Sequence, residues 1–131
     1  IVDNADAGFA ASANWTTASS MPNYFFNNYR TRATGLISDV AQWTVALPSA
    51  GTYQVYAWWP AASNYATSAP YIITHTAGST TVNVNQRTNG GKWNLLGTWT
   101  FNSGTAVRVK LSCWTSTGSY VAADAIKMVK Q

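Results

Sequence analysis

The chain has 131 residues and a net charge of +4 at pH 7, yet charged residues make up only 9% of it, against roughly 25% in an average globular domain. Its 47% of hydrophobic residues exclude disorder, because that much apolar surface offsets chain entropy, and the length supports one domain, residues 1–131, with a real core. No apolar run approaches the roughly 18 residues of a membrane span, and a single cysteine, Cys113, excludes an intrachain disulfide or a cysteine-built metal cluster.

Taken in chain order, Gly8 to Ser20 holds a strand around Asn14-Trp15-Thr16, and Tyr29 to Thr34 another. Between them Ser19 to Asn28 reads as a loop with the adjacent aromatics Tyr24, Phe25 and Phe26. Gln42 to Leu47 alternates, with Trp43, Val45 and Leu47 on one side; after the turn Pro48-Ser49-Ala50-Gly51, Tyr53, Val55, Ala57 and Trp59 share a face until Pro60. Tyr71 to Thr76 is the next strand, and Val82, Val84 and Gln86 form one face of the strand after it. Gly90-Gly91 turns the chain into Trp93 to Phe101, and Asn102-Ser103-Gly104 turns it again into Val107, Val109, Leu111 and Cys113, with Arg108, Lys110, Ser112 and Trp114 on the other side. A polar loop, Thr115 to Ser119, precedes one last strand from Tyr120 to Val129. Short alternating runs punctuated by Gly, Pro and Asn predict an all-β antiparallel sandwich, and no stretch carries the i, i+3, i+4 spacing of an amphipathic helix.

The only acids are Asp3, Asp6, Asp39 and Asp124. The basic balance therefore reflects scarce acids rather than clustered bases, which speaks against a nucleic-acid partner. A membrane partner has no apolar span to support it. The N-terminal residues lack the basic and apolar regions of a signal peptide, so the chain reads as a mature or excised module. Solvation by 17 Thr, 12 Ser and 11 Asn suits an extracellular, monomeric protein.

Catalysis finds little support. Glycoside hydrolysis needs two carboxylates facing each other across a sugar, and the four Asp fall at the N-terminus, before a strand and inside one. His75 is the only histidine, which excludes a metal site of several His and leaves a strand residue hydrogen-bonded to the backbone as its simpler role; no Gly-x-Ser-x-Gly elbow is present. Cys113 reads as a small core residue. No catalytic or metal-ligating residue is assigned.

The aromatics carry the functional signal. Seven Trp, seven Tyr and four Phe exceed what so small a core requires. Rings present large rigid apolar faces at low entropic cost, and sugar C–H faces pack on them while amides and cations meet the hydroxyls. Trp43, Tyr53, Trp99 and Phe101 share faces with Val, Leu and Ala and read as core, and Trp15, between Asn14 and Thr16, is read as core as well. Trp58, on the polar face of its strand, Trp59 at the end of that strand, Tyr65 beside Asn64 in a loop, and Trp114 and Tyr120 flanking a polar loop are the rings expected to stack on saccharide. Asn64, Arg30, Lys92 and Lys110 are the expected hydroxyl or carboxylate contacts, and the cations leave an anionic polymer open as ligand. Asn14-Trp15-Thr16 is a glycosylation sequon.

From Ala50 onward the order of motifs resembles a known family. Ala50 to Pro60 (AGTYQVYAWWP) is followed by Asn64-Tyr65-Ala66-Thr67, Ala69-Pro70-Tyr71, His75-Thr76-Ala77-Gly78, Val84-Asn85-Gln86-Arg87, Gly90-Gly91-Lys92-Trp93, Leu96-Gly97 and Ala123-Asp124-Ala125. This string is similar to the golvesin and xanthan-lyase C-terminal carbohydrate-binding-like domain, in register over roughly the last 80 residues, and more distantly to family 6 and family 35 carbohydrate-binding modules. The resemblance implies a jelly roll of the galactose-binding-like type, no catalysis, and attachment to the catalytic domain of a larger secreted polysaccharide-active enzyme. It places Trp59, His75, Gln86, Trp93 and Asp124 in the family pattern, and Trp58 and Trp114 outside it as residues that tune ligand preference. The wider class often carries a structural calcium ion; so few carboxylates speak against one here, and no cofactor is expected. A ligand-free structural domain and a small hydrolase using Asp39 or Asp124 are the alternatives.

Overall fold

The computed structural model describes residues 1–131. Twelve strands are formed: β1 (Val2–Asp3), β2 (Phe9–Ala10), β3 (Thr16–Ala18), β4 (Tyr29–Ala33), β5 (Ala41–Leu47), β6 (Gly51–Trp58), β7 (Ala69–His75), β8 (Gly78–Val84), β9 (Asn94–Phe101), β10 (Gly104–Leu111), β11 (Tyr120–Ala123) and β12 (Ala125–Lys130). A four-stranded sheet in the order β1-β12-β6-β9 packs against a five-stranded sheet, β2-β5-β10-β7-β8, and a three-stranded sheet, β11-β4-β3, covers one end. Every strand pairing is antiparallel. The architecture is the expected jelly-roll sandwich.

Alternation along the strands builds the core directly. Trp43 and Leu47 of β5, Tyr53, Val55 and Ala57 of β6, Tyr71 and Ile73 of β7, Phe101, Val109, Leu111, Cys113 and Ile126 all meet in one buried cluster with Trp15. The large rings satisfy their polar handles on backbone oxygens, as buried Tyr and Trp must: Tyr53 Oη donates to Ser49 O at 2.7 Å, Trp15 Nε1 to Asp39 O at 3.3 Å, and Trp59 Nε1 to Thr88 O at 3.0 Å. Trp99 is only half-buried; it lies over Gly97, where a Cβ would come within 2.5 Å of the indole, and stacks on His75 with centroids 6.0 Å apart. His75 is held by the Thr80 hydroxyl, 2.8 Å from its Nε2.

Three expectations need correction. The register of β10 against β5 shifts between Val107 and Val109; such a bulge breaks the period-2 alternation and turns Arg108 inward. There its Nη2 donates to Gly104 O at 2.7 Å, and it is buried rather than solvent-facing. The Val82-to-Gln86 strand ends at Val84, and Gln86 lies fully buried beyond it. The final strand from Tyr120 to Val129 is two strands in different sheets, parted at Asp124. This break carries the end sheet away from the sandwich and makes room for a cleft.

Candidate functional site

The cleft opens on the outer face of the three-stranded sheet. Alternation along β4 turns Tyr29 and Thr31 to that face. Their partners are Ala18 and Thr16 on β3, and Ala122 of β11 opposes Thr31 while Tyr120 opposes Ala33. One wall comes from Ser20 and Met21, the start of the 19–28 loop; the other comes from Asn64, Tyr65 and Tyr120. The cleft holds about 230 Å³ and is lined by Ala18, Ser20, Met21, Tyr29, Thr31, Asn64, Tyr65 and Tyr120. None of these carries a charge at neutral pH.

Backbone bonds hold the walls together. Tyr120 N donates to Asn64 O at 3.1 Å, and Ala66 N donates to Tyr120 O at 2.8 Å. The Asn64 side chain is exposed, and Tyr120 is 43% exposed, so a phenol face and an amide both look into the cleft. At its base Tyr65 Oη donates to Tyr29 Oη at 3.1 Å, and Tyr29 Oη also accepts from Met21 N at 3.1 Å. Two hydroxyls with one mutual bond leave one phenolic proton uncommitted. Burial, reinforced by the Tyr29 hydroxyl, pushes the Tyr65 pKa far above its ordinary value, so Tyr65 keeps its proton and donates it to Tyr29.

Three of the nine residues proposed from sequence, Asn64, Tyr65 and Tyr120, are brought together here, but Tyr65 is corrected as a stacking ring, because it is 4% exposed and packed among Tyr29, Ala62 and Ala122 at the base. Trp59 is corrected: it is 3% exposed, packs against Tyr71 in the core, and offers no face to a ligand. Arg30 is corrected as a cleft residue, because period-2 alternation puts it on the opposite face of β4 from Tyr29. Its Cζ lies 5.7 Å from the Phe9 centroid. Lys110 belongs to the middle of the five-stranded sheet, opposite Gln42 and Ile72, and Lys92 is exposed in the turn before β9; neither lines the cleft. Trp114 is 55% exposed beside Leu36 and Ile37, on a bridge between Gly35 and itself. It stands at the far end of the Thr115–Ser119 loop from Tyr120. Thr34 pins that loop, donating from Oγ1 to Ser116 O at 2.7 Å and accepting from Ser119 N at 3.1 Å.

Trp58 is half-buried in a cluster rather than free. Its centroid lies 5.4 Å from those of both Phe25 and Trp93, and its Nε1 donates to Asn23 O at 2.8 Å. The ring clamps the loop that walls the cleft rather than offering a free face. Trp58→Ala should raise the rate of chymotryptic cleavage at Tyr24–Phe26 roughly tenfold or more, a local-opening change of at least about 1.4 kcal/mol. Limited proteolysis reads this directly, and unchanged cleavage would show that the loop stands without the indole.

The same loop is anchored from beneath by Asp124, a residue of the family pattern whose contacts the sequence leaves open. Asp124 Oδ2 accepts from Phe25 N at 2.7 Å, and its carboxyl lies close enough to that of Asp3 for each to shift the other. Both groups are buried. Burial, opposed by the Phe25 N–H and reinforced by Asp3, pushes the Asp124 pKa up to about 8. Burial also raises that of Asp3, against the pull of the Ala5 N–H and of Asp124 itself. A calcium ion wants six to eight oxygen ligands. The carboxylates here number two and already accept backbone N–H donors, and no third His, Cys, Asp or Glu joins them. The donor set does not fit calcium; a proton between the two carboxyls does. At Asp39, by contrast, burial pushes the carboxyl up, but Arg32 Nε at 2.7 Å together with the Ser12 hydroxyl outweighs it and holds the group below its ordinary value.

Sequence reasoning missed Ser20, Met21, Tyr29 and Thr31 of the cleft. The strand at Tyr29 was legible, but nothing local says which face of a short end sheet stays open.

The chain is similar to solved and curated proteins over nearly its whole length. A xanthan lyase from Paenibacillus superposes with a TM-score of 0.91 at 42% identity, over 99% of this chain and 13% of that one. The xanthan lyase of Bacillus sp. (strain GL1) is 38% identical over 98% of this chain and 14% of that protein. The chain thus spans about one-seventh of these relatives. A family 35 carbohydrate-binding module from an environmental isolate (TM-score 0.69, 17% identity, 98% of this chain and 91% of that one) and the family 35 module of Cellvibrio japonicus Abf62 (0.66, 13%, 98% and 95%) share the fold. Residues 1–130 match the Golvesin C-terminal domain throughout, and the chain is a member of that family.

Proposed function

We propose that this domain is a non-catalytic carbohydrate-binding module that holds a neutral pyranose segment in the end cleft. One observation carries the reading: the cleft is lined by hydroxyls, an amide, small apolar groups and a half-exposed phenol, with no charge among them. A sugar ring covers Tyr120 with its C–H face, takes the spare phenolic proton of the Tyr29–Tyr65 pair on a hydroxyl oxygen, and meets Asn64, Ser20 and Thr31 with the others. The absence of any carboxylate or imidazole in that lining is consistent with binding rather than hydrolysis. The relatives named for xanthan lyase, of which this chain matches a small part, support a tethered role in a secreted polysaccharide-active enzyme. There the module raises the local substrate concentration for the catalytic domain. Trp114, at the other end of the Tyr120 loop, extends the grip along a longer chain.

Affinity electrophoresis on neutral soluble polysaccharides tests this. Tyr120→Ala should weaken retardation roughly tenfold, about 1.4 kcal/mol, on long and short glycans alike, whereas Trp114→Ala should weaken it only for glycans long enough to reach that ring. Retardation should not change between low and high salt. If Tyr120→Ala migrates like the parent on every glycan that retards it, the cleft is not the site.

A further inference from the structure

We propose that the outer face of the four-stranded sheet is a second saccharide site, one for a carboxylate-bearing sugar, centred on Lys127. The registers of β12 and β9 against β6 set out this face in rows: Val129, Gln54 and Thr98; Lys127, Tyr56 and Leu95; Ala125 and Trp58, with Trp93 just before β9 at the corner. The Lys127 Nζ is held 4.7 Å from the Tyr56 centroid and 4.8 Å from that of Trp93. Both rings are themselves fixed: Tyr56 Oη donates to Gln54 Oε1 at 2.8 Å, and Trp93 packs on Phe25 and Trp58 with centroids 5.3 and 5.4 Å away.

The chain's one ion pair is Arg32–Asp39, so this ordered ammonium has no carboxylate partner. Ring quadrupoles offset part of a cation's charge without satisfying its three N–H donors. Around it the face offers what a sugar ring needs. Leu95 and Val129 are 53% and 39% exposed, far more than strand residues over a solvated sheet require. The Gln54 amide nitrogen and the Thr98 hydroxyl point the same way and are free to meet hydroxyls. A single fixed cation among apolar and amide groups matches one carboxylate per ring. A phosphodiester backbone would ask for a row of cations, which the face does not have. The site is separate from the end cleft and stands whether or not the cleft binds.

The test is affinity electrophoresis on polygalacturonate, alginate and hyaluronan, each run beside its carboxyl-reduced form, with Lys127→Gln, Lys127→Arg, Lys130→Gln and Tyr120→Ala. At least one acidic polymer should retard the parent tenfold more strongly than its reduced form, with the effect falling as salt rises. Lys127→Gln should lose that tenfold, Lys127→Arg should keep most of it, and Lys130→Gln and Tyr120→Ala should leave it unchanged; matching thermal melts confirm that each variant is folded. The proposal is overturned if none of the three acidic polymers retards the parent more than its reduced form. It is equally overturned if Lys127→Gln binds like the parent, if Lys130→Gln loses as much, or if Tyr120→Ala removes acidic binding.

Discussion

Gln86→Leu is expected to be the most destabilising conservative change in the molecule, by roughly 3–5 kcal/mol, since each orphaned buried polar group costs about 1–3 kcal/mol. Gln86 is fully buried and acts as a missing strand for β11. Its Nε2 donates to Ala122 O at 2.9 Å and its Oε1 accepts from Ala122 N at 2.8 Å; the same Nε2 lies 3.2 Å from Tyr71 Oη. Its own backbone N donates to Ala66 O at 2.9 Å, which ties the 64–66 wall to the core. Leucine fills the volume but orphans both backbone groups of Ala122. Urea unfolding at pH 7 reads the cost, and a loss below about 1 kcal/mol for Gln86→Leu would mean that β11 needs no side-chain partner. Because β11 also carries Tyr120, glycan retardation should weaken along with stability.

Stability should fall as pH rises from about 4 to about 8, the reverse of the usual carboxylate behaviour. In the unfolded chain Asp124 titrates near its ordinary 3.8, whereas in the folded domain burial raises it to about 8. Between these values the folded state holds a proton that the unfolded state does not. Its contribution is complete below the unfolded value and is lost as pH climbs through the folded one, at roughly 1.4 kcal/mol per pH unit for one proton. The raised Asp3 acts with the same sign. Asp39, held low by Arg32, has the opposite sign and adds a loss only as pH falls through the acidic range. Asp124→Asn keeps an acceptor for Phe25 N and a donor toward Asp3, and should flatten the profile and gain stability above pH 8. Chelator and added calcium should leave the melting temperature unchanged if a proton, not a cation, joins the pair. A parent curve that is level from pH 4 to 8 would show that the two carboxyls share no proton.

What was legible in the sequence follows from period-2 alternation. Trp43, Tyr53, Val55, Val109 and Leu111 had to lie on buried faces once their segments were strands, and Gly, Pro and Asn clusters had to end those strands. Composition spoke more weakly: four acids made a paired-carboxylate catalyst a poor expectation, while eight cations left an acidic ligand open. The string from Ala50 to Ala125 was enough to point to the family. Loop aromatics and the rings beside loops were where function was expected; of these Tyr120, at the start of β11, is a half-exposed ring on the cleft.

Tertiary structure alone decided which rings stay wet. Trp58 ends β6 and Trp59 follows it on the opposite side, and nothing in the sequence says that Trp59 dives under the Thr88 carbonyl or that Trp58 is capped by Phe25 from 33 residues away. Only a folded chain brings Lys127 over Trp93, or sets Asp3 against Asp124. These are contacts between segments that no local pattern couples. Exposure depends on what the rest of the chain lays across a face, whereas alternation reports only that there are two faces; the fold was therefore written locally and the site was not.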